Sequence, residues 1–387
     1  MSRNDSWDSW DSWDSWDSWD SWSHGGHGGG APSGMLADAL NRSREGHVGL
    51  PYRRDSKADP AKPALIRRWH DNPSKLPDAS LNMASRIGPA IRLQLCESEL
   101  AEGVSVTGLT QSAEVKTGAG TVFSLVRPNH DFFVAQTMRV ESWASLRAER
   151  APEILTQLGP QFDYWSAVAN LNPAYTPYTR ELIMAAMSFT SSIVQQLKFR
   201  LPVPRPADFS ARVQPMIEAP PFFAFPSGHA TQSYMVARLL SLLLDTALRN
   251  AGRAGATDEA NAFLETQMQL YRQAERIATN RVVAGLHFPV DSTAGCALGL
   301  TLAEHIAARA GFGPGPTPRS FSPEPKGANL KVADFEPWLV PTTTNLVRVE
   351  PIKGSTEGKL DTATTAATVL YWIGRQALRE WDSAGYA

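Results

Sequence analysis

The sequence predicts an all-α fold, a helical bundle of about six core helices with minor β structure at most outside the core. Two observations predict it. From Asn129 to about residue 310, apolar residues recur at the three- and four-residue spacing of one helix face. A Pro- and Gly-rich stretch, Gly311–Gly327, then ends the pattern. The chain of 387 residues is long enough for one large domain with appendages.

The segments before the bundle differ from it in composition. Residues 5–22 are six tandem Asp-Ser-Trp triplets, and the stretch that follows is rich in Gly. A period of three fits neither a helix face nor a strand face, so we predict a disordered tail and linker over residues 1–34. Residues 35–128 are predicted as an N-terminal arm, with a small hairpin around Val104–Val126 where Val, Thr, Ser and Gly alternate.

The helical domain is predicted over residues 129–312, and a C-terminal extension over residues 313–387. The extension contains a candidate strand near Leu339–Val349 and a helix near residues 360–381. The predicted core helices cover residues 129–150, 152–170 (with a break near Gly159-Pro160), 176–199, 228–249, 257–282 and 291–310.

The composition argues against several classes of protein. The formal net charge of −2 does not favour binding to nucleic acid. The two cysteines are too few for a disulfide framework. No apolar segment follows Met1, so we expect no secretion signal. Polar residues interrupt the apolar runs Leu182–Leu197 and Tyr234–Leu248 before they reach the roughly 20 residues of a membrane span. We therefore expect a soluble, cytoplasmic protein.

The first of three clusters of chemically active side chains joins Lys198 to Arg205. Lys198 lies at the predicted end of a helix, and the prolines at 202, 204 and 206 predict an extended run that turns Arg205 back towards the bundle. Both cations are suited to binding the oxygens of an anion. Taken alone, the cluster also fits an ordinary basic helix C-terminus, which complements the helix dipole.

The second cluster is Pro226-Ser227-Gly228-His229, at the predicted start of a helix. Ser227 is the candidate N-cap. The N-terminus of a helix presents free N–H groups to an anion, and Gly228 lets that anion approach the backbone closely. His229 would stand over it as a proton donor or acceptor. Taken alone, the cluster also fits an ordinary Ser-capped helix with a surface histidine.

The third cluster spans a turn between two predicted helices. Arg281 ends one helix, His287 lies in the turn, and Asp291 begins the next helix. Asp291 can fix the imidazole tautomer and leave the other nitrogen free to attack or to ligate. Taken alone, this too fits a turn with an N-capping Asp. Together, the clusters supply three cations, a hydroxyl, an amide and two imidazoles, which suit a tetrahedral or trigonal-bipyramidal oxyanion such as phosphate or vanadate.

The three clusters resemble the signature of the superfamily that unites type 2 phosphatidic acid phosphatases, bacterial class A acid phosphatases and vanadium haloperoxidases. That signature reads Lys-x6-Arg-Pro, Pro-Ser-Gly-His and Ser-Arg-x5-His-x3-Asp, and Asn280 stands here where it often has Ser. The resemblance covers roughly residues 129–310. The matching residues are Lys198, Arg205, Pro206, Pro226–His229, Arg281, His287 and Asp291.

The resemblance implies a catalytic helical domain and assigns each of these residues a part. The residues implied to hold the oxyanion are Lys198, Arg205, Ser227, Gly228 and Arg281. In a phosphatase, which needs no cofactor, His287 attacks phosphorus, Asp291 orients it, and His229 protonates the leaving alcohol. In a haloperoxidase, His287 is instead the axial ligand of vanadium in bound vanadate, and His229 handles the protons of peroxide.

The residues around the clusters favour the haloperoxidase-like branch, with peroxide and halide as small-molecule substrates. The aromatic run before Pro226 resembles the lead-in of haloperoxidases, where a phenylalanine borders the halide site. Phe222, Phe223 and Phe225 are therefore candidate residues of a halide or substrate pocket, although core packing also explains such a run. Against this branch, Gln195 stands where fungal chloroperoxidases carry Trp.

Two alternatives stay open. The first is a soluble acid phosphatase that hydrolyses phosphomonoesters through a phosphohistidine at His287. The second is a catalytically silent scaffold whose Trp-rich tail binds a partner or self-associates.

Overall fold

The computed structural model describes most of the chain from Leu81 onwards. The described residues are 81–159, 161–252, 257–313, 315–323, 334–335, 349–351 and 368–383. The predicted tail and linker lie outside them, as does most of the candidate strand near Leu339–Val349. From Ala84 onwards the chain forms one unit, in which the last part of the predicted arm packs with the described parts of the helical domain and the extension. The exact domain boundaries stay a prediction.

Helices make up most of the described structure, so the protein is mostly helical, although the predicted all-α class does not allow for the sheet described below. The core of about six helices stays a prediction. In chain order they are α1 (Pro89–Ala101), α2 (His130–Trp143), α3 (Arg147–Thr156), α4 (Phe162–Ala169), α5 (Pro177–Arg200), α6 (Pro206–Phe209), α7 (Gly228–Asn250), α8 (Thr257–Val283), α9 (Pro289–Arg309) and α10 (Val369–Ser383). Short 3-10 turns lie at Leu81–Arg86 and Ala144–Leu146. Among the described helices, none is long and apolar enough to cross a membrane.

The structure departs from the predicted helices at three places. The predicted helix 129–150 is divided, because a 3-10 turn separates α2 from α3. The run before Pro206 is extended, as predicted, but the short helix α6, which was not predicted, follows it. There Pro206 takes the first helical position, and the backbone N–H of Arg205 donates to the carboxylate of Asp208 at 2.8 Å. Helix α1 was not predicted, although its buried residues follow helical spacing.

A five-stranded sheet packs against α9. Its strands, in spatial order, are β1 (Ser105–Leu109), β2 (Ser112–Thr117), β3 (Gly120–Val126), β4 (Arg319–Phe321) and β5 (Val349–Pro351). All neighbours are antiparallel except β3 and β4, which are parallel. Phe123, Leu125 and Phe321 are fully buried. The hairpin predicted around Val104–Val126 thus belongs to a larger sheet. The expectation of minor β structure outside the core is wrong, because alternate residues of β3 and β4 point into the core.

Two glycines of α9 let this helix approach α7 very closely. A Cβ atom on Gly295 would lie 2.7 Å from the backbone oxygen of Ser227, and one on Gly299 would clash with the backbone oxygen of Thr231. Because the backbones are this close, the N–H of Ser227 donates to the backbone oxygen of Asp291 at 3.0 Å. The beginnings of α7 and α9 are therefore held side by side.

The helix predicted near residues 360–381 is confirmed as α10, and carboxylates fix it at both ends. Glu99 of α1 accepts from the first two backbone N–H groups of α10, at 2.9 and 2.7 Å. Glu380 of α10 accepts from the N–H groups of Tyr178 and Thr179 at the start of α5, at 2.7 and 2.8 Å. Free N–H groups at a helix start are satisfied in this way. Helix α10 therefore supports α5, the helix that carries the first cluster.

Candidate active site

The three clusters come together where four helix ends meet. Lys198 lies in the last turn of α5 and Arg281 in the last turn of α8. His229 lies in the first turn of α7 and Asp291 in the first turn of α9. The backbone hydrogen bond from Ser227 to Asp291 joins two of these ends directly. The two N-termini, those of α7 and α9, carry a partial positive charge, which favours an anion in front of them.

Three buried cations and one buried carboxylate set the charge of the site. Lys198, Arg205 and Arg281 are 2%, 6% and 0% exposed, and Asp291 is 0% exposed. Burial lowers the pKa of Lys198 well below its usual value and lowers the pKa of both arginines to about 10, so the guanidiniums stay charged at neutral pH. Uncompensated charge in the interior is costly, and a bound anion offsets that cost.

Lys198 holds the segment that precedes α7. Its Nζ donates to the backbone oxygens of Phe223 and Ala224, at 2.6 and 2.7 Å. An ammonium group has three protons. Two are used in these bonds, so one remains for a ligand.

Arg205 connects this same segment to the turn before α9. Its Nε and Nη2 donate to the backbone oxygen of Phe222, at 3.1 and 3.0 Å. Its Nη1 donates to the backbone oxygen of Leu286 at 3.0 Å and lies 3.1 Å from Nε2 of His287. A guanidinium nitrogen only donates. Nε2 of His287 must therefore carry a lone pair.

Asp291 fixes the other nitrogen of His287. Nδ1 of His287 lies 3.0 Å from Oδ2 of Asp291, and the same oxygen accepts from the backbone N–H of Phe288 at 3.0 Å. Burial, followed by the charges of Arg205 and Lys198, lowers the pKa of His287 well below its usual value. Burial also raises the pKa of Asp291 to about 7. His287 is thus a neutral imidazole with its proton on Nδ1 and its lone pair on Nε2.

Ser227 and Gly228 form the start of α7. The Ser227 hydroxyl accepts from the backbone N–H of Ala230 at 3.4 Å, as expected for an N-cap. A Cβ atom built on Gly228 would meet only Val194, at 3.9 Å. The protein therefore leaves space beside the Gly228 backbone, in the first turn of α7.

His229 bonds to a backbone carbonyl outside the three clusters. Its Nε2 lies 3.2 Å from the backbone oxygen of Gln157, the residue that follows α3. A carbonyl only accepts, so Nε2 carries the proton. Burial, followed by the charge of Arg281, lowers the pKa of His229 far below its usual value. His229 is therefore neutral when no anion is bound.

Arg281 is the cation whose hydrogen bonds are incomplete. Its Nη2 donates to the backbone oxygen of Ile154 at 3.0 Å and to Oε1 of Gln157 at 3.1 Å. In the described part of the chain, its Nε and Nη1 have no acceptor, although the residue is fully buried. Buried donors are nearly always paired in folded proteins. The missing acceptor is therefore expected to come from a bound group.

Comparison with known protein families gives a match, and it covers Lys198, Arg205 and Arg281, the three buried cations of the site. Residues 181–309, from α5 to the end of α9, match the PAP2 superfamily. We refer to this matched stretch as the PAP2 domain. The resemblance drawn from the three clusters is thereby confirmed at the level of the superfamily, which includes phosphatases and vanadium haloperoxidases. No curated protein sequence matches the chain.

The three phenylalanines before α7, at positions 222, 223 and 225, lie in different surroundings. The ring centre of Phe222 lies 5.4 Å from Nζ of Lys198 and 5.3 Å from Cζ of Arg205. Phe223 is 40% exposed. Phe225 is fully buried, and its ring contacts those of Phe133 and Phe321. Phe225 therefore packs in the core, and a halide or substrate pocket at Phe222 and Phe223 stays a prediction.

The sequence did not indicate two residues at the end of α3, Glu153 and Gln157, that form hydrogen bonds with α8 of the PAP2 domain. Asn280 donates to Glu153 and to Gln157, at 3.0 and 3.1 Å, and Arg276 binds the same Glu153. Gln157 and Glu153 lie outside the matched stretch, in a predicted helix with no motif. Their contacts join positions more than 120 residues apart, and no local pattern could have indicated them.

Proposed function

We propose that the PAP2 domain is a phosphomonoesterase that acts through a phosphohistidine at His287. The observation that carries this proposal is the state of the imidazole. Asp291 holds the proton of Nδ1, and Arg205 holds an anion-binding guanidinium 3.1 Å from the lone pair of Nε2. When a phosphoryl oxygen binds and takes the Arg205 N–H in place of Nε2, the lone pair of this neutral imidazole becomes free to attack phosphorus.

The residues of the site account for both halves of the reaction. Nε2 of His287 attacks phosphorus, the bond from phosphorus to the ester oxygen breaks, and protonated His229 gives its proton to the leaving oxygen. Water then attacks the phosphohistidine, His229 takes the proton of that water, and the bond from phosphorus to Nε2 breaks. The net change is one ester and one water to one alcohol and one phosphate.

A bound phosphate group lets His229 take up from solvent the proton that it lacks in the free site. The charges of Arg281, Arg205 and Lys198 hold the pKa of His229 down. A phosphate dianion offsets those charges and therefore raises the pKa of His229 towards neutrality. The same cations stabilise the charge that develops on the phosphoryl oxygens in the transition state.

The decisive experiment is to trap the phosphorylated enzyme during hydrolysis of p-nitrophenyl phosphate. We expect release of nitrophenol and, after rapid quenching at alkaline pH, a peptide that carries one phosphoryl group on His287. Hydrolysis with the phosphoryl group on another residue would contradict the assignment, and so would a protein that binds phosphate but hydrolyses no monoester.

A vanadium haloperoxidase is the second candidate, and the Phe222 ring beside Lys198 and Arg205 favours it. The residues fit vanadate, because Arg281 has buried donors without an acceptor in the described residues and His287 presents a lone pair. Bound vanadate would supply the activation of peroxide towards halide. We rank this function second because Phe225, one of the three aromatic residues that favour it, packs in the core.

A parallel assay separates the two functions. The vanadate-loaded protein is given bromide, peroxide and monochlorodimedone, and the vanadate-free protein is given p-nitrophenyl phosphate. Hydrolysis without bromination supports the phosphatase, and bromination reverses the ranking. A protein that binds neither phosphate nor vanadate would favour the scaffold.

A further inference from the structure

Gln157 lies outside the three clusters but contacts two of their residues. It is fully buried at the end of α3. Its Oε1 accepts from Nη2 of Arg281 and from Nδ2 of Asn280, both at 3.1 Å. Its backbone oxygen accepts from Nε2 of His229 at 3.2 Å. Gln157 therefore forms hydrogen bonds both with Arg281, whose donors are incompletely paired, and with His229, the proposed general acid.

The side-chain amide of Gln157 uses only its oxygen. Within the part of the chain that the structure describes, Nε2 of Gln157 has no acceptor, although it is buried. Leaving a buried donor unpaired is energetically unfavourable. A glutamate at this position would accept from both Arg281 and Asn280 and would leave no donor unpaired. Hydrogen bonding alone therefore does not account for a neutral amide here.

Charge does account for it. A carboxylate against Arg281 would neutralise the guanidinium and compete with any anion that binds there. Glu153, which also accepts from Asn280, is already paired, since Arg276 donates to it at 2.8 Å and Asn280 at 3.0 Å. In the described part of the chain, both acceptors of the Arg281 guanidinium are neutral oxygens, of Ile154 and Gln157.

We propose that Gln157 is a positioning residue that fixes Arg281 through a neutral acceptor, so that the guanidinium charge stays available to a bound phosphate-like anion. This inference rests on the proposed binding of an oxyanion, and it holds for either chemistry at that site. Gln157 acts through Arg281 and takes no part in the transfer itself.

Two substitutions of similar size distinguish this role from a purely structural one. Gln157→Met removes both hydrogen bonds to Oε1, whereas Gln157→Glu keeps them and adds a negative charge. The dissociation constant of inorganic phosphate is measured by titration calorimetry at pH 7.5. We expect phosphate to bind about tenfold more weakly to the Met variant, because Arg281 loses its anchor. We expect about hundredfold weaker binding to the Glu variant, because the new carboxylate neutralises Arg281. If Gln157 served only to hold the structure, the Glu variant, which keeps both hydrogen bonds, would bind phosphate more tightly than the Met variant.

Thermal denaturation without phosphate shows whether each variant is folded, and Gln161→Met is the matched control. Gln161 is also buried, and its amide donates to the backbone oxygen of Gln157 at 3.4 Å, whereas the hydrogen bonds of Arg281 go to Ile154 and to the Gln157 side chain. This control should bind phosphate as the wild type does.

The possible results separate this inference from the proposed function. Phosphate binding by the Glu variant as tight as by the Met variant, or tighter, would overturn the inference. If the Glu variant does not fold, unchanged affinity in the Met variant overturns it. A wild-type protein that binds no phosphate removes the proposed function and this inference together.

Discussion

The two sides of the site differ in how completely their buried donors are paired. On the α9 side, every nitrogen of His287 and of the Arg205 guanidinium has a protein partner, and the atom left without one in the described residues is an acceptor, Oδ1 of Asp291. On the α8 side, Arg281 has two nitrogens and Gln157 has one without an acceptor in the described residues. The proposed nucleophile, His287, is thus positioned before a ligand binds. On the opposite side, we expect the ligand to supply the acceptors that Arg281 lacks. Preorganisation of the reacting group lowers the barrier of the chemical step.

Replacing His287 should have the largest effect of the four tests. The loss should be in kcat and not in phosphate affinity. We expect His287→Ala to lower kcat with p-nitrophenyl phosphate by about ten-thousand-fold, by analogy with loss of one member of a catalytic triad. Phosphate affinity should change little, because Arg205 keeps its bonds to backbone oxygens. Steady-state kinetics and calorimetry measure the two effects. As a control, His130→Ala alters an exposed histidine and should leave both unchanged. Wild-type turnover in His287→Ala would falsify the site assignment.

Asp291→Asn should have the next largest effect, with a signature in the pH profile. The nucleophilic tautomer needs an ionised Asp291 to accept the proton of Nδ1, and the pKa of Asp291 is raised to about 7 by burial. In the wild type, kcat/KM should therefore fall as the pH falls below about 7. The Asn variant should be about a thousandfold slower, because an amide does not select the tautomer. It should also lack this acid limb. The substrate itself titrates, and this contributes equally to the pH profiles of both proteins. If kcat/KM fell at low pH in the same way in the wild type and the Asn variant, Asp291 would not be the group responsible.

A pair of arginine substitutions compares the two sides directly. Arg281→Met should weaken phosphate binding about a hundredfold, since the cation with free donors is lost. Arg205→Met should destabilise the ligand-free protein more than Arg281→Met does, because Arg205 ties Phe222 to Leu286 and His287. We expect a loss of about 2–3 kcal/mol for Arg205→Met. Urea denaturation with and without phosphate measures both quantities. Equal losses of stability would remove the distinction between the two sides.

Gly228→Ala is the mildest test. The added Cβ would meet only Val194 at 3.9 Å, so the free energy of unfolding should stay within about 0.5 kcal/mol or rise, because Ala favours helix. Phosphate binding should weaken about tenfold, because the methyl group enters the space in front of the α7 N–H groups. Phosphate affinity equal to that of the wild type would show that the ligand does not approach this backbone.

Sequence reasoning found the parts of the site that short motifs carry and missed the parts that depend on tertiary contacts. His287 and Asp291 lie four residues apart, so their spacing alone brings them together across the start of a helix. Gln157 has no such signal, since its partner Arg281 lies 124 residues further along the chain. The parallel pairing of β3 with the three-residue strand β4 was unpredictable for the same reason. Phe225 was placed near the pocket by its position next to Pro226, but its ring turns into the core.

The close approach of α7 and α9 has a consequence for mutational tolerance. Gly295 and Gly299 contribute no chemical group to the pocket, yet a single methyl group at either position would force the two helices apart. Such a shift would separate the Ser227 and Asp291 backbones, and with them the anion cradle from the nucleophile. In a systematic substitution scan scored by activity, we expect these two glycines to be as intolerant as the catalytic histidines, even where the purified variants remain helical. Sites for engineering a new substrate range should therefore be sought along the exposed segment before α7, well away from this helix contact.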